Sequence, residues 1–181
     1  MADKNQEISP KKREKLKRQR WLAYGRNPAI RQFDANACWA ACLEWWSKAC
    51  GGGRPTLPQE EIASTYVKLW NKSEGKDYGA MSITNMATIL REPQWRASVQ
   101  CVERTQLSFE FLCKKLLSGP LFAAFYYQAG DASHVNVIVA PAVRQDKWRE
   151  EFIGMEPWDG RYKVRSSSFF SGRGMMIAVP Q

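Results

Sequence analysis

An α+β fold is what this sequence predicts, with a helical N-terminal half followed by a C-terminal antiparallel sheet. Segments of helical apolar spacing, broken by Gly and Pro, fill the chain as far as Arg91, and short β-rich apolar runs separated by turn residues follow Pro93. A third observation sets the scale. The 181 residues are 44% hydrophobic and 12% aromatic with eight Trp, so one packed domain accounts for the chain without covalent staples.

Residues 1–20 read as a basic flexible arm and residues 21–181 as the domain. Lys11 to Arg20 has one apolar residue in ten, too few to bury a helix face, which predicts a solvated helix or a disordered arm. Ala37 to Cys50 predicts a helix of good formers without Pro, stopped by Gly51-Gly52-Gly53. Pro58 opens a second helix over Gln59 to Lys72, with Glu60 and Glu61 in its first turn and Ile62, Tyr66 and Leu69 at helical spacing. Ser82 is placed to cap a third, Ile83 to Arg91. Trp95 to Val102 then predicts a strand, Leu107 to Leu117 an amphipathic helix ended by Gly119-Pro120, and Leu121 to Tyr127 an apolar strand. His134 to Val143, Glu151 to Met155 and Gly174 to Val179 complete the sheet.

The formal charge of +9 is concentrated at one end: residues 1–31 carry ten Lys or Arg against three acids, which leaves only +2 from Gln32 onward. A basic run of this kind suits a solvated linker or leader, and contact of residues 11–20 with nucleic acid or an acidic membrane is the competing use. A nucleic-acid-binding domain would instead interleave basic and aromatic residues throughout, which the near-neutral remainder does not do. No apolar run approaches the roughly 18 residues of a membrane span, and the first thirty residues lack the apolar centre of a Sec signal. Five Cys with no CxxC pair argue against a disulfide framework and for a reducing compartment. A single His and scattered Cys without ligand spacing give no metal site, and nothing calls for a cofactor.

The chemistry-bearing segment is RQFDANACWAACLEWW, which puts Cys38 in the first turn of a predicted helix. There, unpaired N–H groups and the helix dipole favour a thiolate. Cys42, one turn deeper beside Trp45, Trp46 and Ala49, reads as core. Gln32, six positions before Cys38, can donate its side-chain amide to an oxyanion alongside the Cys38 N–H. His134 is the only histidine, so any imidazole mechanism must use it, and it opens the apolar run HVNVIVA. In FIGMEPWDG, Glu156 ends a predicted strand and is the better-placed acid to orient the imidazole; Asp159, in a turn with Gly160, is the substitute.

Taken in order, Q-x5-C-W-A-A-C, G-D-A-S-H-V-N-V-I-V and M-E-P-W-D-G resemble papain-like cysteine peptidases. The nearest branches are compact bacterial effector proteases with a C-W-A-A helix and the bacteriocin-leader peptidases that cut after a double glycine. The likeness spans Arg31 to Gly160 and implies a papain-like fold, with the Cys helix packed on the sheet that carries the His. It assigns Cys38 to attack, His134 to acid–base work, Gln32 to the oxyanion hole and Glu156 to the orienting position. The usual D-P dipeptide appears here as Glu156-Pro157, one methylene longer.

The implied reaction is proteolysis through an acyl-enzyme, with no cofactor and a protein substrate, and cleavage at Gly-Gly is the finer expectation from the leader-peptidase branch. Trp39 and Trp158 are candidates to narrow the cleft around such a site. Deamidation or transglutamination of a Gln side chain would use the same thioester, and the non-enzymatic rivals are a catalytically silent papain-like binding module and a nucleic-acid-binding protein that uses the basic arm. The resemblance further implies a bacterial effector or toxin, secreted by a specialised non-Sec system and active in the target-cell cytoplasm. A cognate immunity protein would then cover the cleft.

Overall fold

The computed structural model describes residues 9–71, 78–126, 133–144, 147–170 and 174–181. Residues 1–8 of the expected arm, Lys72, Tyr127 and the Gly130-Asp131-Ala132 lead into His134 lie outside the described residues. In chain order the described elements are α1 (Pro10–Tyr24), α2 (Cys38–Cys50), α3 (Gln59–Thr65), β1 (Trp70–Asn71), β2 (Ala80–Met81), α4 (Ile83–Leu90) and β3 (Ala97–Val102). They continue with α5 (Phe109–Lys115), β4 (Leu121–Tyr126), β5 (Ser133–Arg144), β6 (Lys147–Glu156), β7 (Arg161–Ser166) and β8 (Met175–Pro180). The expected α+β arrangement is present. A six-stranded sheet in the order β3-β8-β4-β5-β6-β7 is antiparallel throughout, and β1 and β2 form a separate two-stranded pair.

The sheet is covered on both faces, because its strands alternate between two apolar layers. Phe122, Ala124, Val135, Val137, Val139, Met176 and Ala178 pack with Trp39, Leu43 and Trp46 of α2 and with Ile62, Met86 and Trp95. Leu121, Ala123, Phe125, Ile138, Phe152 and Ile177 pack on the other side with Phe109, Leu112 and Cys113 of α5 and Leu16 of α1. Three polar contacts help fix α2 on the sheet side: Cys42 Sγ donates to the Val135 carbonyl at 3.3 Å, Trp46 Nε1 to the Pro120 carbonyl at 2.8 Å, and Trp45 Nε1 to the Tyr162 hydroxyl of β7 at 3.1 Å. At its far end α2 stops in Gly51, Gly52 and Gly53, whose φ values of 55°, 69° and 76° admit glycine at no steric cost.

The segment from Lys11 to Arg20 departs from the reading that it cannot bury a helix face. It lies within α1, which runs through Trp21, and Leu16 is only 3% exposed in the second apolar layer. Arg13 is buried as well, its Nη2 2.8 Å from Glu110 Oε1 and its guanidinium 4.9 Å from the Phe109 ring centre. One leucine and one paired arginine suffice to dock a helix whose Lys11, Lys12, Lys15 and Arg18 stay exposed.

Smaller differences have local causes. The second expected helix ends at Thr65 because the Tyr66 hydroxyl is tied to Glu92 Oε2 at 2.6 Å and to Trp95 Nε1 at 3.0 Å, while Trp70 Nε1 reaches back to the Ala63 carbonyl. The strand expected from Trp95 begins at Ala97, since Pro93–Trp95 is a 3₁₀ turn and Arg96 adopts a left-handed φ of 45°. Ser82 caps α4 as the sequence suggests, accepting from the Asn85 N–H at 3.1 Å, and Ser108, not singled out in the sequence, caps α5 by accepting from the Phe111 N–H at 3.1 Å.

Candidate active site

Gln32, Cys38, His134 and Glu156 come from four separate elements and line one cleft of about 470 Å³, together with Ala80, Met81, Trp158, Lys163 and Arg165. Cys38 is the first residue of α2, half-buried, and the cap residue Ala37 supplies no side chain to the first-turn N–H groups. Those donors and the positive end of a 13-residue helix therefore face the sulfur and whatever binds beside it. Cys42, one turn on, is fully buried, and burial pushes its thiol up, reinforced by the nearby Cys38 and Glu156. Cys38 and Cys42, one turn apart on the same helix, thus sit in contrasting environments, one half-buried at the cleft and one fully buried.

His134 is buried near the start of β5, where the ladder pairs it with Phe125, whose ring meets the imidazole edge-on at 5.9 Å. Its Nε2 lies 2.7 Å from Glu156 Oε1, and its side chain hydrogen-bonds Cys38, which leaves Nδ1 as the nitrogen for the sulfur. Burial is the largest influence on His134 and acts to lower it. The hydrogen bonds to Cys38 and Glu156 and their charges outweigh burial, so its pKa is raised from 6.5 to about 9. Burial likewise works against the Glu156 carboxylate, yet the His134 hydrogen bond and charge, the Trp158 N–H and Arg165 bring its pKa down from 4.5 to about 2. The pair is built to hold an imidazolium between a sulfur and a carboxylate.

Glu156 ends β6, so sheet register delivers it to the ring, and its second oxygen, Oε2, lies 3.3 Å from Arg165 Nη2 of β7. The substitute acid is not brought to the imidazole: Asp159 Oδ2 pairs with Lys163 Nζ at 2.6 Å, one turn-length along the same segment. Gln32 lies on an irregular strap before α2. Its Nε2 donates one hydrogen to the Asp34 carbonyl at 2.8 Å, which leaves the second amide hydrogen for another acceptor in the cleft that Cys38 shares.

The two tryptophans proposed for the cleft separate. Trp158 lines it and is 62% exposed, whereas Trp39 is 2% exposed and belongs to the core, so the cleft-lining assignment of Trp39 is corrected. The reason is helical geometry: 100° around α2 from Cys38, Trp39 falls in line with Leu43 and Trp46. Lys163, Arg165 and Asn136, polar residues in or beside the site, went unread in the sequence. Lys163 and Arg165 sit on the unexpected strand β7, whose Tyr162/Val164 alternation was a usable signal. Asn136, buried two residues after His134, donates to the Met155 carbonyl at 3.3 Å and comes within 3.5 Å of His134 Nε2; its signal was a polar residue in an apolar strand, in phase with the histidine.

No protein-family model and no curated protein sequence matches the chain. Solved structures do. The peptidase domain of Streptococcus ComA, a bifunctional ABC transporter involved in a quorum-sensing pathway, superposes with a TM-score of 0.57 at 12% identity, over 86% of this chain and 99% of that one. A double-glycine-motif protease from an AMS/PCAT transporter, solved with its leader peptide, superposes with a TM-score of 0.53 at 16% identity, over 85% of this chain and 91% of that one. The fold is therefore the papain-like fold of these peptidase domains, as the sequence resemblance implied.

Proposed function

We propose that this chain is a papain-like cysteine peptidase that cuts a protein substrate after a Gly-Gly pair. The observation that carries the proposal is His134 held between Cys38 and Glu156, 2.7 Å from the carboxylate, at the edge of a cleft that also presents Gln32. The fold shared with two transporter peptidase domains supports the same reading, and the double-glycine-motif protease among them motivates the Gly-Gly specificity. An effector or toxin role with delivery to a target cell, and a cognate immunity protein over the cleft, belong to this proposal through the sequence resemblance.

In the proposed reaction, Cys38 Sγ attacks the scissile carbonyl carbon while His134 holds the proton that the sulfur gave up. The carbonyl π pair moves onto oxygen, and that oxyanion accepts hydrogen bonds from the Cys38 N–H and the free Gln32 amide hydrogen. Collapse breaks the C–N bond, and the imidazolium protonates the departing amine. Water, deprotonated by His134, then hydrolyses the thioester, releases the new carboxyl terminus and returns the proton to the Cys38–His134 pair. Glu156 stays ionised and fixes the ring.

The test is incubation of the wild type and Cys38→Ala with leader-type peptides containing Gly-Gly, followed by mass spectrometry. Two fragments, one ending in Gly-Gly and the other beginning at the next residue, both absent with Cys38→Ala, are the expected products. Identical spectra for both proteins would remove the proposal, and an intact peptide about one dalton heavier would assign the same thioester chemistry to a deamidase.

A further inference from the structure

Gln32 is a polar side chain on irregular backbone, and nothing in regular secondary structure fixes where its amide points. An oxyanion donor must nevertheless be held within a fraction of an ångström before substrate arrives. The hydrogen bonds around the strap show what holds it. Gln59, the first residue of α3 and buried, donates from Nε2 to the Arg31 carbonyl at 2.9 Å and accepts at Oε1 from the Phe33 N–H at 3.2 Å. The Gln32 N–H itself donates to the Pro157 carbonyl at 2.7 Å.

These contacts engage both peptide planes that meet at the Gln32 Cα. The Arg31–Gln32 plane is held through its carbonyl by Gln59 and through its N–H by Pro157, and the Gln32–Phe33 plane through its N–H by Gln59. Two fixed planes define φ and ψ and therefore the Cα–Cβ direction. The Asp34 carbonyl then sets the amide end. Gln59 is anchored in turn, because its own N–H donates at 2.8 Å to Glu44 Oε2, and Glu44 lies on the same helix as Cys38.

We infer that Gln59 is a positioning residue for the oxyanion donor: its amide clamps the backbone on either side of Gln32 and ties that donor, through Glu44, to the helix of the nucleophile. The inference rests on the peptidase reading above. A short polar path, Cys38 helix to Glu44 to Gln59 to the Gln32 backbone, sets the spacing between sulfur and amide without any contact between Gln59 and substrate. Glutamine suits the position because one side chain offers a donor and an acceptor in a single plane, matching a carbonyl and an N–H two residues apart.

The experiment is a double-mutant cycle on Gln32→Ala and Gln59→Leu, with Gln59→Glu and Cys38→Ala as companions. The probe is a fluorogenic peptide amide ending in Gly-Gly, and the rate of Cys38 alkylation by iodoacetamide is followed in parallel, since that reaction forms no oxyanion. Gln59→Leu lowers kcat about ten- to a hundredfold with KM within about threefold, while alkylation proceeds at the wild-type rate. Added to Gln32→Ala, it lowers kcat by no more than about twofold further, because its target is gone. Gln59→Glu, which keeps the acceptor for Phe33 but sets a carboxylate oxygen against the Arg31 carbonyl, falls in the same direction.

An unchanged kcat in Gln59→Leu, an equal loss in both backgrounds, or a parallel slowing of alkylation would each overturn the positioning role. Full activity of Gln32→Ala would overturn it too, with the peptidase reading intact. Cys38→Ala turning over the probe as the wild type does would instead sink the peptidase reading itself, an outcome independent of Gln59.

Discussion

The two walls of the cleft are held in place by different means. On the strand wall, His134 and Glu156 occupy register positions of a ladder, β5 against β4 and β6 against β7, with the imidazole braced by the Phe125 ring. On the helix wall, Cys38 follows a strap that belongs to no helix or strand and is held by single side-chain-to-backbone bonds from Gln59 and by the Pro157 carbonyl. A ladder spreads a perturbation over many hydrogen bonds, whereas a clamp made by one side chain fails when that residue is replaced. Proton transfer is thus sited on the robust wall, and oxyanion binding on the wall that substitution disturbs most easily.

The largest effect breaks both walls alike. Cys38→Ala and His134→Ala each reduce kcat to background, a loss of about four orders of magnitude or more, and the double variant is no worse than either single one, as for groups that act as a unit. Steady-state kinetics of the three proteins checks this. A Glu156→Gln change comes next, with kcat down by about a hundred- to ten-thousandfold. It also removes the charge that helps raise His134, so the alkaline limit of activity, set by an imidazolium that titrates at about 9, moves to lower pH. Gln32→Ala separates the walls: kcat falls about ten- to a thousandfold while that alkaline limit stays where it is.

Weaker perturbations sharpen the contrast through stability. At Gly160 φ is +65°, and an added Cβ would stand 2.8 Å from Arg31 Cβ and 2.9 Å from its backbone N. Gly160→Ala therefore strains the point where the Glu156 turn meets the Gln32 strap and costs about 1–3 kcal/mol, measurable as a lowered denaturation midpoint. Asp159→Asn is the smallest change, since its pair with Lys163 is about a third exposed on each side. It costs less than about 1 kcal/mol and leaves the pH profile untouched.

The linked titrations of the strand wall also set a stability window. His134 has its pKa raised from 6.5 to about 9, so its contribution is fully present below pH 6.5 and is lost as pH rises through about 9. Glu156 has its pKa lowered from 4.5 to about 2, so its contribution is present above pH 4.5 and is lost as pH falls through about 2. Denaturation midpoints of the wild type flatten between those two ordinary values; Glu156→Gln removes the acid-side dependence and weakens the alkaline one, where Cys38 still raises His134.

What the sequence could show tracks this division. Cys38, His134 and Glu156 were legible because each sits at the end of an element whose periodicity marks that end, and chemistry places the reactive group there. Trp39 was misread because adjacency to the nucleophile was weighed above the 100° rotation that sends it into the core. The docking of α1 was hidden, since Arg13 finds Glu110 across 97 positions of chain. Gln59 gave no sign at all: a glutamine after a proline reads as a helix start, and its two strap partners are invisible until the chain is folded.

One imidazole in the whole chain makes a direct measurement available. Long-range proton–nitrogen NMR of ¹⁵N-histidine-labelled protein reports a single ring, and its titration in the wild type and in Cys38→Ala tests whether His134 is coupled to the sulfur. A midpoint near 9 that drops when Cys38 is removed, with Nε2 carrying the proton toward Glu156, is the expected result. A midpoint near 6.5 that ignores the substitution would contradict the pairing on which the proposed chemistry depends.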